Sequence, residues 1–472
     1  MKTARGSRGW SLSAAPVNIM ACQRIICSAA WTMRATPPPV RWPWYGCGNW
    51  LRSCGNWPTA RRSDMNTVYT SDVHVAAEAL KSGGLCAVPT ETVYGLAGNG
   101  LDENAVAEIY AVKGRPENKP LSLMVPDASG LQRCGEEVPP AVCMLAERFW
   151  PGPLTLVVRA KADIPASVLA GGNTVGLRCP DHPLTLELLR ELDFPLAAPS
   201  ANPSGEPSAK TASQVRGYFD GKIACVLDGG ECGLGRESTI LDLSETPYRV
   251  LRQGALSESE IFDALREKMT VVGLTGGTGC GKTTALRAIA EKGGRVIDCD
   301  AVYHGLLENS EALRAELRAA FPEAFDGDVF NRKKLGSIVF ADAEKLELLN
   351  TITHRHIRLA VDEALTDCVK NGIFLAAVDA IALIESGLGG ICSAVVGVTA
   401  PTEARVGRLM KREGISREYA LLRISAQKGE DYFRENCDYI LENDGSEAAF
   451  VEKCRALVRI ILNEQEGEHH HE

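Results

Sequence analysis

Two features that many proteins carry are missing from this sequence of 472 residues. No run of 18 apolar residues exists, so no membrane-spanning helix is predicted and no membrane partner is expected. The twelve cysteines beyond residue 64 form no C-x-x-C pair. We therefore expect these thiols to be reduced and mostly buried, which is typical of a cytoplasmic protein.

Acidic residues are scarce at one end of the chain. Residues 1–64 contain nine Lys or Arg against the single acid Asp64, a net charge of +8, whereas the whole chain carries −9. The remaining 408 residues therefore carry −17 and repel phosphate as a whole. Any contact with nucleic acid would have to come from a local basic cleft, and no stable nucleic-acid binding is required.

The first 64 residues are predicted to be an unstructured leader. They hold six of the seven tryptophans and the run Pro37-Pro38-Pro39, and they sustain neither helical nor strand periodicity. A segment with Arg and Ser but few acids resembles an organelle transit peptide, but transit peptides are amphipathic and this segment is not. We therefore favour the interpretation that translation begins at Met65 and that the leader is upstream sequence.

The most specific motif lies at residues 276–283, which fit G-x-x-x-x-G-K-[ST]. An apolar run precedes it and a helical pattern follows, which is the strand–loop–helix setting of a phosphate-binding loop. Glycines let the N–H groups of such a loop face an anion, and the helix start adds the positive end of its dipole. The residues expected to contact ATP here are Gly276, Gly277, Thr278, Gly279, Cys280, Gly281, Lys282, Thr283 and Thr284.

Two side chains of this loop have specific expected roles. Lys282 would reach the β- and γ-phosphates as a catalytic clamp, and the Thr283 hydroxyl would hold Mg²⁺. We expect Lys282 to have no structural partner, because a lysine at a helix start opposes the helix dipole unless an anion is present. The simpler alternative is a flexible glycine turn that binds nothing.

Residues 65–268 are predicted to form the first domain, in which loops after apolar strands present Lys, Arg, Ser, Thr and Asn. Each loop alone has an ordinary explanation, such as a solvated helix end or a simple turn. Together they contain no candidate acid–base pair. They form a surface suited to binding a triphosphate and an amino-acid carboxylate and to orienting them for attack at phosphorus.

Residues 66–265 resemble the threonylcarbamoyl-AMP synthase family, also called YrdC-like. The resemblance rests on K-x-R at Lys113 and Arg115, S-x-N at Ser200 and Asn202, P-T-E-T-V-Y-G-L at 89–96, W-P-G-P-L-T at 150–155 and E-S-T-I at 237–240. It implies an α/β fold, with a twisted sheet around a concave basic cleft. It also implies synthesis of L-threonylcarbamoyladenylate from L-threonine, bicarbonate and ATP, and delivery of that product to the tRNA t6A machinery. A non-catalytic RNA-binding module is the alternative.

The resemblance also implies roles for individual residues. Threonine is expected to contact Thr92, Arg178 and Ser238. The nucleotide is expected to contact Lys113, Arg115, Lys119, Thr174, Ser200, Asn202, Ser208 and Arg252. Lys113 and Arg115 are assigned a catalytic role, because with Mg²⁺ they would neutralise the leaving pyrophosphate. Met124 stands where many members have histidine, so the contact with threonine there is expected to be weaker or made by backbone.

Residues 269–466 are predicted to form a second domain, joined to the first by one amphipathic helix at 255–269. Because no Pro- or Gly-rich tether intervenes, the two domains are expected to lie close together. Strands are predicted at 295–300, 373–379 and 395–399. The first two end in Asp300 and Asp379, and strand ends are where open α/β sheets bind ligands.

Asp300 is well placed to accept a proton from a substrate hydroxyl, although it could instead cap a helix. Asp379 is expected to support Mg²⁺. Arg405, Arg408 and Arg412 follow at spacings of three and four, so one helix face presents three guanidinium groups. Near a P-loop this pattern favours a helical lid over phosphates, although charged helix faces are often merely solvated.

Residues 270–465 resemble dephospho-CoA kinase. The resemblance rests on the P-loop, Asp298-Cys299-Asp300, Thr353-His354-Arg355, 379–385, Arg408 with Arg412, and Asn443-Asp444-Gly445. It implies a P-loop domain with a parallel sheet and phosphorylation of dephospho-CoA by ATP. Asp300 would be the base, Arg408 and Arg412 the lid, and Asn443 an adenine contact. The sequence departs from the family at Arg355 and at 381–384, both on the acceptor side, so a different small-molecule kinase is the alternative.

Overall fold

The computed structural model describes residues 66–468, and the predicted leader at 1–64 lies outside the described residues. Within that range the first part of the chain builds a mixed sheet of ten strands. These are β1 (Val68–Thr70), β2 (Cys86–Val88), β3 (Gly95–Asn99), β4 (Ser122–Met124), β5 (Leu154–Arg159), β6 (Thr174–Arg178), β7 (Leu196–Ala197), β8 (Cys225–Leu227), β9 (Thr239–Asp242) and β10 (Arg249–Arg252). Their order is β1-β8-β2-β3-β7-β4-β6-β5-β9-β10.

Eight helices accompany this sheet within the described residues. They are α1 (Val73–Lys81), α2 (Glu103–Lys113), α3 (Ser129–Cys134), α4 (Pro140–Phe149), α5 (Ala166–Leu169), α6 (Pro183–Glu191), α7 (Ala212–Phe219) and α8 (Glu258–Glu267). Helix α2 shows how the sequence sets such an element. The Asp102 side chain accepts a hydrogen bond from the Asn104 N–H at its start, and Gly114 ends it in the left-handed conformation. The ends of α2 therefore fix where Lys113 leaves the helix.

The second part of the chain builds a five-stranded sheet with a small hairpin beside it. Its strands are β11 (Thr270–Thr275), β12 (Arg295–Asp298), the hairpin strands β13 (Phe325–Asp326) and β14 (Val329–Phe330), β15 (Leu375–Asp379), β16 (Ala394–Thr399) and β17 (Tyr439–Glu442). The five-stranded sheet has the order β12-β15-β11-β16-β17, and all of its neighbouring pairs are parallel.

Helices cover this parallel sheet and extend beyond it. They are α9 (Lys282–Ala290), α10 (Cys299–Asn309), α11 (Glu311–Ala320), α12 (Arg332–Val339), α13 (Ala343–Lys370), α14 (Thr402–Glu413), α15 (Arg417–Ser425), α16 (Glu430–Asn436) and α17 (Glu447–Glu468), with short 3₁₀ helices at Pro322–Ala324 and Leu388–Ile391. Strands β11 and β16 are buried along all six residues, as expected for central parallel strands covered on both faces. The predicted α/β fold class is confirmed.

Two predicted boundaries need correction. The strand predicted at 295–300 ends at Asp298, whose side chain accepts hydrogen bonds from the N–H groups of Asp300 and Ala301. Asp298 is therefore the helix cap, and Asp300 lies in the first turn of α10 rather than at a strand end. The connecting helix predicted at 255–269 is shorter, because Ser257 and Glu260 form a capping box at its start and the helix ends at Glu267.

The connecting helix α8 lies in a buried junction between the two parts. Its Phe262 and Leu265 belong to the same hydrophobic cluster as Val361 and Leu365 of α13. The first sheet lies entirely before the predicted domain boundary at 268/269, and the parallel sheet lies entirely after it. That boundary stays a prediction, but the expectation that the two parts lie close together fits the shared cluster.

The cysteines of the described residues are free, and nine of the twelve are buried. The expectation of mostly buried, unpaired thiols is therefore confirmed for residues 66–468. Among these residues, no helix combines the length and the apolar character needed to cross a bilayer.

Candidate active sites

A cavity of about 300 Å³ lies among the loops of the first sheet. Its wall consists of Thr92, Val93, Tyr94, Gly95, Arg115, Pro120, Leu121, Ser122, Met124, Thr155, Arg178, Ala198, Pro199, Ser200, Glu237, Ser238, Ile240 and Arg252. The predicted site residues among them are Thr92, Arg115, Arg178, Ser200, Ser238 and Arg252. The structure therefore brings together all three predicted threonine contacts and three of the predicted nucleotide contacts.

Arg178 ends strand β6 and is buried in the cavity wall. Its guanidinium donates to the Glu91 carboxylate at 2.7 Å and to the Thr92 hydroxyl at 2.8 Å. A buried charge needs a partner of opposite sign, and Glu91 supplies it. The pair holds Arg178 in place with one face toward the cavity, where it could bind a carboxylate.

Ser238 and Arg252 form a second group of polar residues in the cavity wall. The Ser238 hydroxyl lies 2.9 Å from the Thr155 hydroxyl, and the Arg252 guanidinium donates to the Ser238 carbonyl at 2.9 Å. Arg252 also pairs with the Glu237 carboxylate. Arg252 is paired with Ile240 in the antiparallel ladder of β9 and β10, and Ser238 directly precedes β9.

Lys113 is buried behind the wall of the cavity rather than in it. Its ammonium donates to the carbonyls of Ser200 and, at 2.5 Å, Asn202. Burial, with a smaller effect from the nearby Arg115 charge, lowers the pKa of Lys113 to about 8. In this structure Lys113 supports the Ser200–Asn202 loop, and its predicted contact with ATP stays a prediction.

Arg115 faces the cavity, and backbone carbonyls hold its guanidinium. It donates to the Lys119 carbonyl at 3.3 Å and to the Pro120 carbonyl at 2.9 Å. Burial lowers the pKa of Arg115, and the Arg252 charge adds to that shift. The guanidinium groups of Arg115 and Arg252 line one cavity, where a polyphosphate would be stabilised.

Besides Lys113, four predicted nucleotide contacts lie outside the cavity wall. Thr174 begins β6, so it lies at the opposite end of that strand from Arg178. The Asn202 side-chain amide donates to the Glu206 backbone carbonyl. The Ser208 hydroxyl donates to the Glu237 carboxylate at 3.1 Å. Lys119 contributes its backbone carbonyl to Arg115. Contacts of these side chains with ATP remain predictions.

Met124 lines the cavity at the end of β4 and is buried. A Cβ added to Gly95 would lie 3.2 Å from the Met124 methyl group, so the thioether packs against that glycine. The wall here offers an apolar group and no hydrogen-bond donor. The predicted weaker contact with a substrate hydroxyl at this position is consistent with that surface.

Sequence reasoning missed three residues of this site: Glu91, Thr155 and Glu237. All three lie inside the quoted motifs 89–96, 150–155 and 237–240, so the signal was present. The two acids were overlooked because a basic cleft was expected. In the structure they form ion pairs with Arg178 and Arg252.

The second site is the loop between β11 and α9. Gly276, Gly279 and Gly281 have φ values of 142°, 80° and 112°, a region that favours glycine. Helix α9 begins at Lys282, so its free N–H groups and the loop share one concave surface. This is the geometry of an anion-binding loop, as the motif predicts.

Lys282 has a structural partner, which corrects the expectation that it has none. Its ammonium lies 2.8 Å from the Asp379 carboxylate, and both side chains are more than four-fifths buried. Asp379 ends β15, next to β11, so the sheet register brings it beside the loop. In this structure Asp379 compensates the charge of Lys282.

Three acids gather at this edge of the parallel sheet. Asp298 and Asp379 are register partners on neighbouring strands, and Asp300 follows in the first turn of α10. The thiol of Cys299 is buried near all three, and burial together with their negative charges raises its pKa to about 12. Asp300 itself is exposed and accessible to a ligand at this edge.

Thr283 is exposed at the start of α9, directly after Lys282. Its hydroxyl and the Asp379 carboxylate are hard oxygen donors of the kind that Mg²⁺ prefers. Among the residues that the structure describes, no group of three or more His, Cys, Asp or Glu could hold a metal. A metal here would therefore rely on these two oxygens, the nucleotide phosphates and water.

Helix α14 carries the three predicted lid arginines, but they do different things. Arg405 donates to the Thr278 carbonyl at 3.0 Å, and Arg408 donates to the Gly279 carbonyl at 3.0 Å. Both thus bind the outer side of the P-loop. Arg412 is exposed and pairs with its neighbour Glu413 at 2.5 Å. The three do not form one phosphate-facing row in this structure, and the predicted phosphate contacts of Arg408 and Arg412 remain predictions.

Asn443 follows β17 and is buried beneath the P-loop. Its amide donates to the Cys280 carbonyl at 2.9 Å. The same carbonyl accepts a longer bond from Arg408, at 3.3 Å. The side chain of Asn443 therefore supports the loop, and its predicted adenine contact remains a prediction.

The acceptor-side motif lies on the long helix α13. Thr353 is buried and donates to the Leu349 carbonyl at 2.9 Å, one turn earlier. His354 is half-buried, and burial lowers its pKa, although the Glu385 charge opposes that effect. The departure noted at 381–384 lies beside the P-loop strand, because the Thr275 hydroxyl donates to the Ile381 carbonyl at 3.0 Å.

Gln427 is a further residue at the P-loop that sequence reasoning missed. Its amide oxygen accepts the Thr278 N–H at 2.9 Å, and its amide nitrogen donates to the Thr278 hydroxyl at 2.7 Å. It lies 149 positions from Thr278 and belongs to no quoted motif. No local signal could have identified it.

Comparisons with known proteins match each part separately. Residues 78–254 match the Sua5/YciO/YrdC family model, described as Telomere recombination, and residues 270–449 match the model described as Dephospho-CoA kinase. The first match covers the ten-stranded sheet except β1, and the second covers the whole five-stranded sheet.

Three relatives illustrate the similarity. The threonylcarbamoyl-AMP synthase of Pyrococcus abyssi is 46% identical over 195 residues, which cover 41% of this chain and 57% of that protein. This chain thus spans little more than half the length of that relative. The putative threonylcarbamoyl-AMP synthase of Mycobacterium tuberculosis H37Rv is 37% identical over 190 residues, 40% of this chain and 87% of that protein.

The dephospho-CoA kinase of Dehalococcoides mccartyi is 36% identical over 200 residues, which cover 42% of this chain and 98% of that protein. The chain therefore belongs to two families, its first part to the threonylcarbamoyl-AMP synthase family and its second part to the dephospho-CoA kinase family.

Proposed function

We propose that the chain is a bifunctional enzyme with two separate active sites. The first makes L-threonylcarbamoyladenylate from L-threonine, bicarbonate and ATP, and the second phosphorylates dephospho-CoA with ATP to give coenzyme A. The observation that carries the first activity is the cavity that gathers Thr92, Arg178 and Ser238 beside Arg115 and Arg252.

The residues of this cavity suit each step of the first reaction. The threonine carboxylate would bind Arg178, and its amine would capture CO₂, formed from bicarbonate, as a carbamate. A carbamate oxygen would then attack the α-phosphorus of ATP, and the bond to pyrophosphate would break. Arg115 and Arg252 lie where they could bind the phosphates and stabilise the leaving charge. The product would pass to the tRNA t6A machinery.

The second reaction fits the edge of the parallel sheet. The exposed Asp300 would accept the proton of the acceptor hydroxyl, whose oxygen attacks the γ-phosphorus while ADP leaves. Lys282 would exchange its ion pair with Asp379 for the phosphates. Thr283 and Asp379 would hold Mg²⁺, which when bound supplies positive charge for the transferring phosphoryl group.

Organisation and location follow from the same features. The proposed domains are residues 65–268 and 269–466, because the two sheets lie on either side of that boundary. The free cysteines of the described residues suit a reducing compartment, which supports a cytoplasmic enzyme. The segment 1–64 is proposed to contribute to neither activity.

One assay panel on the purified chain tests the proposal. Threonine- and bicarbonate-dependent pyrophosphate release would establish the first activity, and dephospho-CoA-dependent ADP release the second. A chain that binds RNA but releases no pyrophosphate would make the first part a binding module. A chain that phosphorylates another alcohol far better than dephospho-CoA would keep the kinase and overturn its acceptor.

A further inference from the structure

Thr278 of the P-loop is bound by side chains from elsewhere in the chain through a connected set of hydrogen bonds. Gln427 accepts the Thr278 N–H at 2.9 Å and donates to the Thr278 hydroxyl at 2.7 Å. Arg405 donates to the Thr278 carbonyl at 3.0 Å and to the Gln427 amide oxygen at 2.8 Å. All three polar groups of Thr278 are thus bound by two side chains from outside the loop.

One of these side chains comes from the predicted lid helix α14, and the other comes from the segment that follows α15. Arg405 lies on α14, and Gln427 lies just beyond the end of α15. The Gln427 N–H donates to the Ile424 carbonyl at 3.2 Å, so the helix end fixes where Gln427 starts. Both side chains that bind Thr278 therefore start from backbone that is held by a helix.

The loop has no spare room at this contact. A Cβ added to Gly277 would collide with the Arg405 guanidinium, so any side chain at this position would force that guanidinium to move. A phosphate-binding loop works by turning its N–H groups toward the anion. Holding the Thr278 carbonyl and hydroxyl outward favours that orientation of the adjoining peptides.

We propose that Gln427 is a positioning residue for the kinase. It holds the P-loop at Thr278 against the lid helix α14 and so sets the affinity for ATP. It acts through Thr278 and does not touch the reacting atoms. The proposal rests on the proposed kinase function, but its main readout is ATP binding, which does not depend on the identity of the acceptor.

The test compares Gln427→Leu with wild type by titration with a fluorescent ATP analogue and by steady-state kinetics of the kinase reaction. In the titration both proteins also carry Arg115→Ala, which weakens ATP binding at the first site, so that the signal reports the P-loop. Removing three side-chain hydrogen bonds at a partly buried site, two to Thr278 and one from Arg405, should weaken ATP binding about tenfold. KM for ATP should rise in parallel, whereas KM for dephospho-CoA and the melting temperature should stay near wild type. The matched control is Ser425→Ala, which removes a hydrogen bond on the same helix that does not reach the loop and should leave ATP binding unchanged.

A double-mutant cycle with Thr278→Val tests the route of the effect. Thr278→Val removes one of the two hydrogen bonds between Thr278 and Gln427, and on its own it should weaken ATP binding about threefold. Combined with Gln427→Leu, it should weaken ATP binding no further. Wild-type ATP affinity in Gln427→Leu, or full additivity of the two changes, would overturn the proposal. If Gln427→Leu lowers the melting temperature strongly, Thr278→Val alone decides, and unchanged ATP affinity in that variant overturns the proposal.

Failure of the function itself gives a different result. A wild-type chain that binds ATP but does not phosphorylate dephospho-CoA would remove the acceptor assignment. The comparison of ATP affinities would still support or overturn the role of Gln427.

Discussion

The Arg266 guanidinium of α8 donates to the Asp362 carboxylate of α13 at 2.8 Å, across the junction between the two parts of the chain. Beneath this ion pair, Phe262 packs in one buried cluster with Leu365 of α13. The Lys370 ammonium lies 4.7 Å from the centre of the Phe262 ring, within the range of a cation–π interaction. The junction residues belong to one hydrophobic cluster that also contains core residues of both parts, so we expect the two parts to unfold together.

Phe262→Ala tests this coupling. Truncating a buried phenylalanine should cost about 3–5 kcal/mol of unfolding free energy, because the cavity left behind spans both parts. Scanning calorimetry should show one transition that shifts down as a whole. The matched control is Leu359→Ala on α13, whose side chain is 56% exposed and whose loss should cost little. Two separate transitions, of which only one shifts, would contradict a shared core.

Arg115→Ala tests the first site. The cavity would lose one of the two guanidinium groups available to a triphosphate, at a cost of about 2–4 kcal/mol in transition-state stabilisation, roughly a hundredfold or more in rate. Threonine-dependent pyrophosphate release measures the loss. Arg249→Ala is the control, since Arg249 is an exposed arginine on the same strand as Arg252 and does not line the cavity. Wild-type turnover in Arg115→Ala would remove this cavity as the active site.

Lys113 predicts a specific dependence of stability on pH. Its pKa of about 8 in the folded chain lies below the ordinary lysine value of 10.5, so the folded state binds fewer protons between these values. Folding therefore becomes more favourable as pH rises through that window, by an amount on the order of 3 kcal/mol. Below pH 8 the penalty for burying the charge is constant.

The measurement is urea unfolding of wild type and Lys113→Met at pH 7.5 and at higher pH. Other titrating groups are common to both proteins and cancel in the difference. Wild type should gain stability relative to Lys113→Met as pH rises from 8 toward 10.5. A difference that does not change with pH would show that burial does not shift this lysine.

Asp300→Asn separates binding from chemistry at the second site. Asparagine keeps the size and the exposed position but cannot take the proton of the acceptor hydroxyl. We expect ATP binding near wild type and a fall in kcat of about a hundredfold or more. A variant with wild-type kcat would show that another group, or water, accepts the proton.

How much the sequence predicts depends on how local each feature is. The P-loop was predicted because its glycines, Lys282 and the flanking elements lie within a few residues of one another. The strands were predicted from continuous apolar runs such as β11, whereas their parallel arrangement was implied by the resemblance to dephospho-CoA kinase. One predicted strand boundary was wrong because of helix capping. Asp298 caps α10 and ends the strand that was expected to reach Asp300.

Partnerships between distant residues were not predictable. Glu91 and Arg178 are 87 positions apart, and Gln427 and Thr278 are 149 apart, so no periodicity links them. The ion pair that Lys282 forms depends on the register of two neighbouring strands, which a single sequence does not reveal. Motifs identified the site residues, but only the fold shows which of them support others.

The central claim is that one chain holds two independent active sites, and Lys282→Ala tests it most directly. The variant loses the ion pair with Asp379 and the phosphate clamp, both of which lie in the second part. Measured on one preparation, it should lose dephospho-CoA-dependent ADP release and keep threonine-dependent pyrophosphate release at the wild-type rate. If a well-folded Lys282→Ala protein lost both activities, a single shared nucleotide site would replace the two-site account.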